Sequence, residues 1–144
     1  MRKNLKPEDL KDLLDRSTLA VLATHMKNGQ TLLSPVWQEF RNGGFSVVIL
    51  ADDVKMRHLK RDPTASVLVA EQEPPYRGIE IRGEAKISKP ADVLDTVRRL
   101  AVRYLGEARG NAYADAFEGV DLAMIRLEPG NLRAWDYKDE ATLA

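Results

Sequence analysis

The sequence predicts a mainly β protein with helices, a small barrel of about seven mostly antiparallel strands with helices packed outside. Short runs of apolar and β-branched residues recur between turn-forming residues, as in strands. The turns Asn28-Gly29 and Asn42-Gly43-Gly44 join consecutive runs, as in antiparallel hairpins. Only the segment 90–106 has a long series of apolar residues at the three- and four-residue spacing of a helix.

The first half of the chain supplies three strands and two short helices. Pro35 interrupts the second strand, and because proline cannot donate to a ladder, we expect that strand to bend or open there. Asp52 or Asp53 caps the second helix, which Asp62-Pro63 ends. The predicted elements are a helix over residues 7–16, strands over 19–24, 31–40 and 45–50, and a helix to residue 61.

The second half continues with strands on either side of a helical excursion. Gly83 indicates a bulge in the second of its strands, and Gly106 is placed to end the long helix. The predicted elements are strands over 65–71 and 79–87, helices over 90–106 and 111–117, and strands over 122–127 and 132–137.

Length and composition limit the classes of function. The chain has 144 residues, one domain's length, and its 22 basic residues balance 22 acidic ones, which argues against nucleic acid as a partner. Without cysteine and with two histidines, thiolate chemistry and a metal site are disfavoured. The sequence has no long apolar stretch and no signal peptide, so we expect a cytoplasmic protein without a membrane partner. We expect a single domain over residues 1–144.

The densest charged feature is the helix segment VKMRHLKR over residues 54–61, with four cations and a histidine. Helix N-termini carry free N–H groups and a positive dipole end, so Lys55 and Arg57 beside them would form an anion site. The alternative is a solvated helix face.

Two further features suggest a ligand. The segment Ser34-Pro35-Val36-Trp37 is kinked and aromatic, which suits a flat heterocycle, although a packed tryptophan beside an edge proline is the alternative. Trp135 and Tyr137 share one face of the last strand and either cover a ligand or pack in a subunit interface. The sequence has no nucleophile elbow and no phosphate loop, and its carboxylates lack the spacing of a metal site. The catalytic residues therefore stay unknown, and a cofactor is expected to carry the chemistry.

Three segments carry a family resemblance: STLAVLATHMKNGQTLLSPVW, VKMRHLKRDPTASVLV and RGIEIRGEAKI, most of residues 17–87. They resemble the split-barrel flavin and deazaflavin proteins related to pyridoxamine 5'-phosphate oxidase. The resemblance implies an FMN-binding-like split β-barrel and a homodimer that binds two cofactors between its subunits. It places Lys55 as the phosphate-binding lysine, and the ring between residues 34–37 and 49–51. The predicted cofactor-binding residues are Ser34, Pro35, Val36, Trp37, Ile49, Leu50, Ala51, Lys55, Arg57, Lys60, Trp135 and Tyr137.

The chain departs from the oxidases of this family at several positions. They carry cations on the second strand and at the helix start, where this chain has Ser34, Glu39 and Val54, and a glutamine where it has Gly78. The segment that grips the vitamin phosphate has no counterpart in the closing NLRAWDYKDEATLA. Oxidation of pyridoxamine phosphate is therefore disfavoured.

The sequence is similar instead to the branch that uses the deazaflavin coenzyme F-420, whose acidic tail would use the surplus cations Lys60 and Arg61. This similarity implies an F-420-dependent oxidoreductase that transfers a hydride to an electron-poor double bond of a small-molecule substrate, such as an enone, quinone or tetrapyrrole. The alternatives are an FMN-binding reductase or oxidase and a non-catalytic dimer that binds a cofactor or tetrapyrrole.

Overall fold

The computed structural model describes residues 4–128 and 130–140. Within these ranges the chain forms nine strands and four helices, with a 3-10 turn at Pro7–Leu10 before the first helix. The strands are β1 (Ala20–His25), β2 (Thr31–Val36), β3 (Glu39–Arg41), β4 (Gly44–Leu50), β5 (Thr64–Ala70), β6 (Gly78–Glu84), β7 (Lys86–Ser88), β8 (Leu122–Leu127) and β9 (Asn131–Trp135). The helices are α1 (Lys11–Asp15), α2 (Val54–Arg61), α3 (Val93–Leu105) and α4 (Glu107–Ala116).

The strands form two antiparallel sheets. One has the order β2-β1-β5-β6-β9 and the other the order β3-β4-β8-β7. No pairing between described residues joins the two sheets into a closed barrel. The predicted class, mainly β with helices in a split barrel, is confirmed, with nine strands in place of about seven because two predicted strands each divide in two.

The second predicted strand divides after Val36 rather than at Pro35. Pro35 itself stays in the strand and pairs with Val21 of β1. The break falls at Gln38, because α3 takes up its backbone groups. The Gln38 N–H donates to Tyr104 Oη at 3.2 Å, and Arg103 Nη1 donates to the Gln38 carbonyl at 3.0 Å. These bonds replace ladder bonds, so β2 and β3 lie in different sheets.

The predicted strand over 79–87 also divides, at Ala85. Its N–H donates to the Pro63 carbonyl at 2.8 Å, and β7 then pairs with β8 in the other sheet. Gly83, where we expected a bulge, pairs in regular register with Ala65. Gly106 ends α3 as predicted, with φ +88°, but α4 begins directly after it rather than at residue 111.

The core lies between the sheets and extends under α1 and α2. Phe45, Leu13 and Ile81 are fully buried there. A smaller cluster joins α3 and α4 to β8 through Val97, Ala114 and Leu122. The longest described helix, α3, has 13 residues, and no helix in the described ranges is long and apolar enough to cross a membrane.

Candidate functional site

An apolar cleft of about 450 Å³ lies where the ends of β2 and β4 meet α3 and α4. It is lined by Leu19, Pro35, Val36, Trp37, Val48, Ile49, Leu50, Asp53, Val97, Leu100, Tyr113, Phe117 and Leu122. Among the described residues that line it, only Asp53 is charged, so the cleft suits a flat apolar group with a polar end.

An aromatic wall closes one side of the cleft. The Trp37 ring stacks on Tyr104 at 5.2 Å between centroids and 10° between planes, and lies 5.1 Å from Tyr113, which in turn lies 4.8 Å from Phe117. Burial raises the pKa of Tyr104, whose hydroxyl donates to the Thr18 carbonyl at 2.7 Å. Trp37 therefore packs against neighbouring aromatic rings and also lines the cleft. The sequence had left these two roles as alternatives.

The N-terminus of α2 lies beside the cleft, because Asp53 both lines the cleft and caps the helix. Asp53 Oδ1 accepts from the Lys55 backbone N–H at 2.9 Å, and Lys55 Nζ lies 3.1 Å from the same oxygen. The Lys55 side chain is only 13% exposed. The Lys55 ammonium group is therefore held near the N-terminus of α2. A phosphate bound at this helix end would compete with Asp53 for Lys55.

The other cations of α2 lie on its outer side. Arg57 and Lys60 are exposed, and Arg61 donates from Nη2 to the His25 carbonyl. Lys60 and Arg61 occupy the last turn of α2, where positive charge complements the negative end of the helix dipole. Part of the surplus charge on this helix therefore has a structural explanation.

His58, the histidine within this charged segment, faces the protein interior. Its Nδ1 lies 3.0 Å from Thr24 Oγ1 on β1, and the side chain is buried. Burial lowers the pKa of His58, and the charges of Arg61 and Arg57 lower it further. His58 is thus neutral near pH 7 and connects α2 to β1.

The structure brings five predicted ring-binding residues together in the cleft: Pro35, Val36, Trp37, Ile49 and Leu50. Ser34 is buried on β2 and Ala51 follows β4, so both adjoin the cleft without lining it. Sequence analysis missed the walls from α3 and α4. Tyr113 and Phe117 have the four-residue spacing of two side chains on one helix face. This spacing was the signal in the sequence that could have indicated an aromatic wall.

Trp135 and Tyr137 lie outside the cleft. Because β9 ends at Trp135, the two do not share a strand, but both line a second cavity of about 450 Å³. Its other lining residues are Asn4, Leu5, Leu132, Arg133 and Ala134, none of which lines the cleft. The Arg133 guanidinium lies 4.9 Å from the centroid of the Trp135 ring, as in a cation–π contact.

The two antiparallel sheets and the apolar cleft beside the α2 N-terminus define a split-barrel protein. Residues 7–136 match the family model described as pyridoxamine 5'-phosphate oxidase, and the chain belongs to this family. The resemblance stated from the sequence is thus confirmed. No curated protein matches the chain significantly.

Several solved structures share the fold. A conserved hypothetical protein from Mycobacterium tuberculosis aligns with a TM-score of 0.74 and 22% identity, covering 93% of this chain and 86% of its own. An F420 reductase aligns with a TM-score of 0.67 and 23% identity, covering 85% and 94%. A FAD- and heme-binding protein from Mycobacterium smegmatis aligns with a TM-score of 0.70 and 16% identity, covering 93% and 72%. At these identities the likeness establishes the fold.

Proposed function

We propose that the protein is an oxidoreductase that uses coenzyme F-420 to reduce an electron-poor double bond in a small molecule. The observation that carries this proposal is the apolar cleft of about 450 Å³ with the capped N-terminus of α2 at its edge. A deazaflavin ring is flat with apolar faces and polar edges, so its faces would fit between Trp37 and the β4 residues. Its phosphate needs cations, which Lys55 and Arg57 of α2 would supply.

The residues of this chain supply binding, orientation and exclusion of water. Pro35 and Val36 on one side and Ile49 on the other would hold the ring in an environment with little water. Lys55 and Arg57 would hold the phosphate, with Lys55 leaving its ion pair with Asp53. When bound in its reduced form, the coenzyme supplies the hydride, as cofactors of redox enzymes do.

The choice between F-420 and FMN depends on the acidic tail that only F-420 carries. Lys60 is exposed on α2 and has no ion-pair partner among the described residues, so it is open to a carboxylate of such a tail. Equilibrium dialysis of the protein against F-420 and against FMN tests the proposal. We expect micromolar binding of F-420, weakened by Lys60→Ala, and weaker binding of FMN that this variant leaves unchanged.

Failure of F-420 to bind at micromolar concentrations would overturn the proposal. A protein that is yellow as purified would favour the FMN-binding reductase or oxidase. Binding of F-420 without turnover across a panel of activated alkenes would favour a non-catalytic binding protein.

A second copy of the chain is part of this proposal. Trp135 and Tyr137 line their own cavity rather than the cleft, so in this proposal they contact a cofactor in the cleft of a second subunit. Light scattering should then give twice the chain mass of 16.2 kDa. A monomer mass at working concentration would remove the homodimer and these two residues from the site.

A further inference from the structure

Two tyrosines flank Trp37, and their hydroxyl groups differ. Tyr104 Oη donates to the Thr18 carbonyl and accepts from the Gln38 N–H, at 2.7 and 3.2 Å. Tyr113 lines the cleft and is 39% exposed, and no hydrogen bond to its hydroxyl comes from residues 4–128 or 130–140. The Tyr113 phenol is therefore open to a ligand in the cleft, whereas the Tyr104 phenol is occupied by the fold.

The other polar groups of the lining cannot replace Tyr113 as a proton donor. The Asp53 carboxylate is paired with Lys55 and caps α2, so its oxygens already accept hydrogen bonds from within the fold. The Trp37 indole N–H donates hydrogen bonds but does not release its proton in water. Among the described lining residues, Tyr113 alone both donates a hydrogen bond and carries a dissociable proton.

Residues on both sides of Tyr113 are held against α3. Arg98 Nη1 donates to Asn111 Oδ1 at 2.8 Å, and Arg98 Nη2 donates to Asp115 Oδ1 at 2.7 Å. Gly110 permits this close contact, because a Cβ there would lie 2.5 Å from the Val102 Cα. Tyr113 is thus presented on a fixed helix, as positioning a reacting group requires.

We propose that the Tyr113 hydroxyl binds the carbonyl oxygen of a conjugated enone in the cleft and protonates that oxygen when the double bond is reduced. This inference rests on the proposed function, in which reduced deazaflavin is the hydride donor and is oxidised. The hydride forms a C–H bond at the β-carbon, the C=C π bond breaks, and its electrons reach the oxygen as an enolate. The enolate takes the Tyr113 proton, the phenolate recovers one from water, and the enol becomes the saturated ketone.

The test compares two probes by equilibrium dialysis without cofactor. Benzylideneacetone is a flat aryl enone, and 1-phenylbutene has the same shape without the carbonyl oxygen. We expect Tyr113→Phe to raise the Kd for benzylideneacetone about three- to tenfold, the loss of one hydrogen bond. The Kd for 1-phenylbutene should stay unchanged. Tyr76→Phe is the matched control, because Tyr76 is 40% exposed and lies outside the cleft lining.

Equal weakening of both probes would mean that Tyr113 only shapes the cleft and would overturn the inference. Unchanged binding of both probes, or no binding of either to the wild-type chain, would overturn it too. This assay needs no cofactor, so its outcome is separate from that of the F-420 dialysis. If F-420 binds, Tyr113→Phe should also slow benzylideneacetone reduction at least tenfold at saturating substrate. An unchanged rate would remove the proton-donor role.

Discussion

The indole of Trp135 lies directly on Gly78, its partner across the β6–β9 pairing. A Cβ at position 78 would stand 2.3 Å from the Trp135 Cζ2 atom, well inside van der Waals contact. Trp135 Nε1 also donates to the Tyr76 carbonyl at 3.0 Å, which fixes the ring over the strand. A glycine at position 78 therefore leaves the space that the Trp135 ring occupies.

We expect Gly78→Ala to lower the free energy of unfolding by about 1–3 kcal/mol, the usual cost of overpacking a close contact. Urea unfolding measures this cost. In a Trp135→Ala background the same substitution should cost much less, because the ring that it displaces is absent. Additive losses in the double variant would contradict this explanation.

Glu71 is the centre of an ion-pair group that joins α1 to the loop before β6. Burial would raise the pKa of Glu71, but hydrogen bonds from Arg77 and Arg16 outweigh it and lower the pKa from 4.5 to about 2. Arg77 Nε lies 3.0 Å from Glu71 Oε1, and Arg77 Nη2 lies 2.8 Å from Asp12 Oδ2.

Because the pKa of Glu71 is lower in the folded than in the unfolded chain, its ionisation stabilises the fold above pH 4.5. That contribution, on the order of 3 kcal/mol, is lost as the pH falls from 4.5 towards 2. Glu71→Gln should therefore destabilise the protein at pH 7 and flatten the acid limb of its stability profile. Glu73→Gln, an exposed neighbour, is the control and should change neither. Equal stability profiles for Glu71→Gln and wild type would refute this assignment.

His58 should make stability depend on pH in a higher range. The pKa of His58 is lower in the folded chain than its ordinary value of 6.5. As the pH falls, the unfolded chain therefore takes up a proton at a higher pH than the folded chain does. The free energy of unfolding should then fall as the pH decreases from 6.5 towards the folded pKa. His58→Asn, which keeps a polar atom near Thr24, should remove this slope, as chemical unfolding at several pH values would measure. If the slope persists in His58→Asn and vanishes in His25→Asn, then His25 causes the pH dependence and the prediction for His58 is wrong.

Lys55→Ala should weaken cofactor binding by about 1.5–3 kcal/mol, the range for hydrogen bonds to a charged group. The measurement is equilibrium dialysis with F-420. Lys27→Ala removes an equal charge from the exposed β1–β2 turn and should leave the affinity unchanged. Unchanged affinity in Lys55→Ala would mean that the α2 cations are only a solvated face.

Most elements of the fold were predictable because their signals are local. The Asn28-Gly29 turn, the Asp53 cap and Gly106 each act through a few neighbouring residues, and each lies where the sequence places it. The division of the second strand at Gln38 was not predictable from local signals, since it depends on hydrogen bonds to Tyr104 and Arg103, more than sixty residues later.

The sequence by itself determined the mainly β fold, because strand periodicity and turn chemistry act through neighbouring residues. Its resemblance to the family indicated one side of the cleft, Pro35 to Trp37 and Ile49 to Leu50. The tertiary structure decided the rest of the site. It brought Tyr113 against Trp37 and Phe117 against Tyr113, and it turned His58 inward towards Thr24 of β1. The contacts of Tyr113 and Phe117 depend on how α3 and α4 pack across β4 and β8, and that of His58 depends on how α2 packs on β1. Side-chain packing between distant elements leaves no periodic signal in a single sequence.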